Sequence, residues 1–123
     1  MGEDKMLYGC TSAWKQGAKK TQIVLCKLNP FTGEAEKYVV KEGRDLSVCA
    51  WNVTMHGRRL YYASNIPGCE IGVIDIDKKK LLDSFSLNAC RGCQTGAPVV
   101  TDDKVYIFID EMRELRVYEN IPI

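Results

Sequence analysis

Apolar and polar residues alternate with period two along most of this chain, as in RRLYYASN and EIGVIDID, so neighbouring side chains fall on opposite faces of an extended backbone. Helical spacing is hard to find. The pattern predicts ten short strands, near residues 5–11, 21–28, 35–41, 48–55, 59–64, 70–76, 81–87, 97–100, 104–109 and 115–119. All favour Val, Ile, Leu, Tyr and Phe, the residues that suit a pleated, half-buried surface. Between them stand turn signals. Asn29-Pro30-Phe31-Thr32-Gly33 combines a proline-preset start with a glycine able to take positive φ, and His56-Gly57, Pro67-Gly68 and Asp102-Asp103 mark further reversals. Short strands with hairpin-scale connections and no helical interludes predict an all-β chain: a sandwich, a barrel or a propeller.

Internal similarity separates these three. LYYASNIPGCEIGVIDIDKKKLLDSFSL can be laid beside VYIFIDEMRELRVYENI and, more loosely, beside MLYGCTSAWKQGAKKTQIVLCKLNPFTGEAEKYVV. Each copy opens with a Leu-Tyr or Val-Tyr strand and crosses a loop into a second strand that ends in an acid or Asn. From Leu7 to Leu60 is 53 residues and from Leu60 to Val105 is 45, near the roughly 40–50 residue period of propeller blades.

The run VTMHGRRLYYASNIPGCEIGVIDIDKKKLLDSFSL resembles a blade of the YVTN or PQQ-type β-propeller families, and APVVTDDKVYIFIDEMRELRVYENI resembles the first three strands of another. His56-Gly57-Arg58 replaces the usual Gly-Asp of the turn, and the tryptophan-docking signature of quinone-cofactor blades is absent. With strands lettered a to d from the propeller centre outwards, the resemblance implies b-c-d, a-b-c-d and a-b-c over residues 5–41, 46–87 and 95–121. That makes one domain over 1–123 built of about two and a half four-stranded antiparallel blades. A closed propeller takes roughly four to eight blades. The chain is therefore expected to be an incomplete propeller, or one completed by other chains, or a smaller sandwich.

Composition narrows the partners. Seventeen Lys and Arg against sixteen Asp and Glu give a net charge of +1, too balanced a field to draw the chain to nucleic acid or an anionic membrane. Lys78-Lys79-Lys80 reads as a solvated turn between strands. No apolar run has the 18 or so residues that span a bilayer, and MGEDKMLYGC has no signal-peptide pattern. Secreted and intracellular locations both remain open.

Six cysteines are dense for an ordinary intracellular domain. On the propeller reading, Cys49, Cys69, Cys90 and Cys93 gather on the face formed by the b-to-c and d-to-a loops, with Cys10 approaching it from the end of a b strand. Four thiolates there would suit tetrahedral zinc, and Cys90-Arg91-Gly92-Cys93 is also the spacing of a redox pair. A single CxxC lacks the second ligand pair of a structural zinc site and the helix that opens a redox motif, so disulfides or buried free thiols are favoured. The sequon Asn52-Val53-Thr54 lies within a predicted strand, where an inward side chain excludes a glycan.

His56, the lone histidine, has no serine or cysteine partner in the local sequence, and no phosphate-cradling glycine pattern or calcium loop is present. Trp14, in the polar loop 11–20 with Lys15, Lys19 and Lys20, is the candidate contact for a protein partner. The expectation is a non-enzymatic propeller-type interaction or ligand-binding module without a cofactor, engaging protein partners, other propeller subunits or its own copies. The alternatives are a fragment or subunit of a propeller oxidoreductase, and a secreted surface or adhesion protein.

Overall fold

The computed structural model describes residues 5–14, 21–43, 47–66, 70–86, 97–109 and 114–122. Among them are ten strands and no helix: β1 (Leu7–Trp14), β2 (Thr21–Leu28), β3 (Ala35–Gly43), β4 (Ser47–His56), β5 (Arg59–Ile66), β6 (Glu70–Asp75), β7 (Lys80–Ser86), β8 (Val99–Val100), β9 (Lys104–Ile109) and β10 (Glu114–Glu119). They form three antiparallel sheets in the orders β1-β2-β3, β4-β5-β6-β7 and β10-β9-β8. Every hydrogen-bonded neighbour is also a neighbour in sequence. Such meanders need only tight turns. The described residues form no closed propeller.

The sheets stack face to face, with the four-stranded sheet in the middle. One cluster joins it to the first sheet: Cys10, Ile23 and Leu25 meet Leu60, Tyr62 and Ile74. A second joins its other face to the third sheet: Tyr61, Ala63 and Val73 meet Val105, Ile107 and Ile109. This explains why β5 and β6 carry the unbroken apolar runs LYYA and IGVI. A strand covered on both faces has no reason to alternate. In β9 the alternation survives, because Val105, Ile107 and Ile109 are buried while Phe108 between them is exposed.

The stack has a direction. In each sheet a tyrosine on the first strand of the repeat faces the strand that follows it in sequence: Tyr8 opposite Lys27, Tyr61 opposite Val73, Tyr106 opposite Val117. Two residues further along the strand stand Cys10 opposite Leu25, Ala63 opposite Ile71 and Phe108 opposite Leu115. Side chains two apart share a face. Cys10 and Leu25 turn toward the middle sheet, and Tyr61, Ala63 and Ile71 turn toward the third. Tyr106, Phe108 and Leu115 are the same positions one repeat later. Each sheet thus presents its forward face to the sheet after it in the chain.

Turns repeat as well. Asn29 Oδ1 accepts the amides of Phe31 and Thr32 at 2.9 and 3.3 Å, and Asp75 Oδ1 accepts those of Asp77 and Lys78, both at 2.9 Å. The fifth residue of each turn donates back to the first at 2.8 Å and has positive φ: Gly33 at 77° and Lys79 at 57°. The acid or Asn that closes the second strand of a repeat is the cap of this turn. For Lys79 the left-handed backbone is strained, and the turn's three hydrogen bonds hold it there.

Two expectations need correction. Cys10 does not end a strand: β1 runs four residues past it, and Cys10 is 2% exposed in the interface with the middle sheet. Trp14 is not a loop residue either, since it ends β1 in register with Thr21. The polar stretch Thr11-Ser12-Ala13 stays in the sheet because β2 supplies a continuous partner. Strand pairing is a tertiary property that overrides local composition.

Candidate functional site

The described turns gather at one end of the stack. Gly57 takes φ 61° at the first position of the two-residue β4–β5 turn, the backbone that suits a right-twisted hairpin. That turn projects His56, Arg58 and Arg59 into a shallow recess of about 290 Å³, which Asp75 also lines. Arg58 closes a fork on Asp77, with Nη2 to Oδ1 at 2.7 Å and Nε to Oδ2 at 3.2 Å, and lies 5.7 Å from the centre of the Tyr8 ring. The Asp77 hydrogen bond, then that of Tyr8, holds its pKa above the ordinary arginine value. Arg59 donates to the carbonyls of Ile121 and Pro122 at 2.8 and 2.9 Å, and His56 Nε2 lies 2.8 Å from Asp102 Oδ1.

These groups tie neighbouring sheets together at their turn ends. Arg58 joins the middle sheet to the first, while Arg59 and His56 join it to the third. Tyr61 adds a part-buried bond, its hydroxyl donating to Asn120 Oδ1 at 2.7 Å, and Asn120 Nδ2 donates to the Thr101 carbonyl at 2.8 Å. Exposed ion pairs contribute roughly 0–1 kcal/mol each, so their effect here is register more than strength. The His56–Asp102 pair can orient an imidazole, with the Asp102 carboxylate itself exposed.

Toward the opposite end, Lys41 Nζ meets Glu70 Oε1 at 2.6 Å across the first two sheets, with Ser84 Oγ 3.5 Å from the amine. Tyr62 lies above the same carboxylate, 3.4 Å from hydroxyl to Oε1. Burial, reinforced by the Glu70 charge, raises its pKa above the ordinary tyrosine value. Burial pushes the Cys10 thiol up to about 12, with Cys26 adding to the shift. A thiol so placed is inert, because the thiolate is the reactive form. Comparison with models of known protein families and with curated proteins returns no match.

Cys69, Cys90, Cys93, Lys15, Lys19 and Lys20 lie outside the described residues. Cys49 and Asn52 fall within β4 and Trp14 ends β1, with their backbones alone described. Cys10 and Cys26 are free thiols, and among the described residues no group of three or more His, Cys, Asp or Glu is arranged to hold a metal ion. Sequence reasoning missed the Lys41–Glu70 tie and the His56–Asp102 pair. Both join residues at least 29 positions apart, and nothing local marks either one.

Proposed function

We propose that this chain is a non-enzymatic interaction module of the β-propeller type, about two and a half blades of the YVTN or PQQ kind, that works within a larger or oligomeric assembly. The observation that carries this reading is the open stack. Its third sheet leaves Phe108, Leu115 and Val117 at 47, 64 and 52% exposure, although the corresponding residues of the middle sheet are covered. Contiguous exposed apolar surface marks an interaction site. The polar groups at the turn end support the same reading, since their hydrogen bonds hold neighbouring sheets in register.

Native mass spectrometry of the purified chain tests this. The expected result is protein mass alone, with the apolar end faces open to a hydrophobic dye or covered by another protein subunit. A stoichiometric metal or organic molecule would overturn the module reading in favour of a cofactor-bearing fragment.

A further inference from the structure

We propose that a second copy of this chain docks head to tail, seating the outward face of its β1–β3 sheet on the outward face of the β8–β10 sheet. This rests on the module reading above and names its partner. The two free faces are unlike each other and complementary. The first sheet exposes Leu7, Leu28 and Val39, and the third exposes Val99, Phe108, Leu115 and Val117. Within the chain, both sheet interfaces join a forward face to the backward face of the next sheet. A second copy continues that order.

Residue size supplies the stronger argument. In the first interface the small forward residue Cys10 shares a buried cluster with the large backward residue Tyr62. In the second, small Ala63 shares a cluster with Ile107. At the free ends the same two positions have exchanged sizes. The forward residue is now Phe108, and the backward one, equivalent to Tyr62 and Ile107, is Gly9. A Cβ on Gly9 would meet no atom within 4 Å, so that face carries a dent where the other sheets carry a bulky side chain. Phe108 is the knob that fits it. Dense packing requires that a knob on one face be matched by a gap on the other. Two forward faces meeting each other would set Phe108 against Phe108 and leave both Gly9 dents empty.

A head-to-tail contact can continue indefinitely or close into a ring. Two copies bring six sheets from two sets of three, inside the roughly four to eight that close a propeller. A closed dimer of twice the 13.9 kDa chain mass is therefore expected.

Sedimentation velocity over a concentration series tests this with Phe108→Lys and Gly9→Lys, each first shown to fold by a parent-like β-sheet circular dichroism spectrum and a cooperative thermal transition. The parent chain should sediment as a dimer and each variant alone as a monomer. Mixed one to one, the variants should recover a dimer, since one intact Phe108 face then meets one intact Gly9 face. Val117→Lys and Val39→Lys repeat the test should either first variant fail to fold. A back-to-back dimer, lost with Phe108→Lys but untouched by Gly9→Lys, would overturn the proposal. So would a parent chain that stays monomeric throughout. In that case a cofactor-free monomer with dye-accessible end faces leaves the module reading in place, whereas bound metal or organic mass removes that reading as well.

Discussion

The middle and third sheets are written in nearly the same residues and meet opposite fates. Tyr61, Ala63, Ile71 and Val73 lie at 0–1% exposure, whereas Phe108, Leu115 and Val117, at matching register, lie between 47 and 64%. Burial here is set by whether another sheet follows, and the strand pattern itself does not record that. Alternation fixes which residues share a face. Stacking decides which face sees water.

Val73 and Val117 give the sharpest break. Val73→Asp places an unpaired carboxylate between two sheets, which should cost at least about 3 kcal/mol and abolish cooperative unfolding at ambient temperature. Val117→Asp, at the same register position on the open face, should change the stability of the isolated chain by no more than about 0.5 kcal/mol. Chemical denaturation of both variants measures the difference. Equal losses would mean that the third sheet's outer face is already covered within the chain.

The two glycines offer a second contrast. A Cβ on Gly72 would fall 2.1 Å from the Tyr62 ring, and that ring, at 0% exposure, has nowhere to move. Gly72→Ala should therefore destabilise by about 1–3 kcal/mol. In the dissociated chain Gly9→Ala enters open space and removes freedom from the unfolded state, so at concentrations where the chain is monomeric it should be neutral or stabilising by up to about 1 kcal/mol. A shift in thermal midpoint of the same sign for both would sink the assignment of Gly9 to an open dent.

Cys10, on the inner face of the first sheet, ties the stability of that face to pH. Because burial raises the Cys10 thiol from its usual 9.0 to about 12, unfolding lets it ionise more easily. The stability it protects is complete below about pH 9 and is lost as pH rises toward 12, on the order of 1 kcal/mol being gone by pH 10. Tyr62 acts in the same direction above its ordinary range, so the decisive window is about pH 8 to 10. Urea titrations there should show the alkaline slope flattened by Cys10→Ala and mostly retained by Cys26→Ala. An unchanged slope in Cys10→Ala would place the ionising group elsewhere.

Much of this fold was legible in the sequence, because a strand's period is local. The ten strands follow from alternation and turn residues, their division into three, four and three was what the blade resemblance implied, and β2 and β9 begin and end where the pattern puts them. What escaped is what pairing creates. Nothing in Thr-Ser-Ala-Trp announces a strand until β2 stands beside it, and nothing about Cys10 announces burial until the middle sheet covers it. The size exchange between Cys10 and Tyr62 inside, and Phe108 and Gly9 outside, becomes visible only once register aligns the repeats. Among the candidate residues, Cys69, Cys90, Cys93, Lys15, Lys19 and Lys20 lie outside the described residues. The turn end instead contributed the Arg58, Arg59 and His56 ties, whose partners are distant in sequence.

The smallest contrast lies in a pair of hydroxyls. Tyr61 and Tyr106 occupy the same register position, but the Tyr61 ring is buried and its hydroxyl donates to Asn120 at 2.7 Å, linking the middle sheet to the tail of the third. Tyr61→Phe leaves the ring in place and strips Asn120 Oδ1 of that donor, which should cost about 1 kcal/mol. Tyr106→Phe, on the open face, should stay within about 0.5 kcal/mol. If calorimetry of the monomeric chain shows equal effects, the bond to Asn120 is not what fixes the third sheet against the second. The burden of holding that interface would then fall on the cluster around Val73 and Ile107, against which Ile121 packs, and on the bonds from Arg59 to the Ile121 and Pro122 carbonyls.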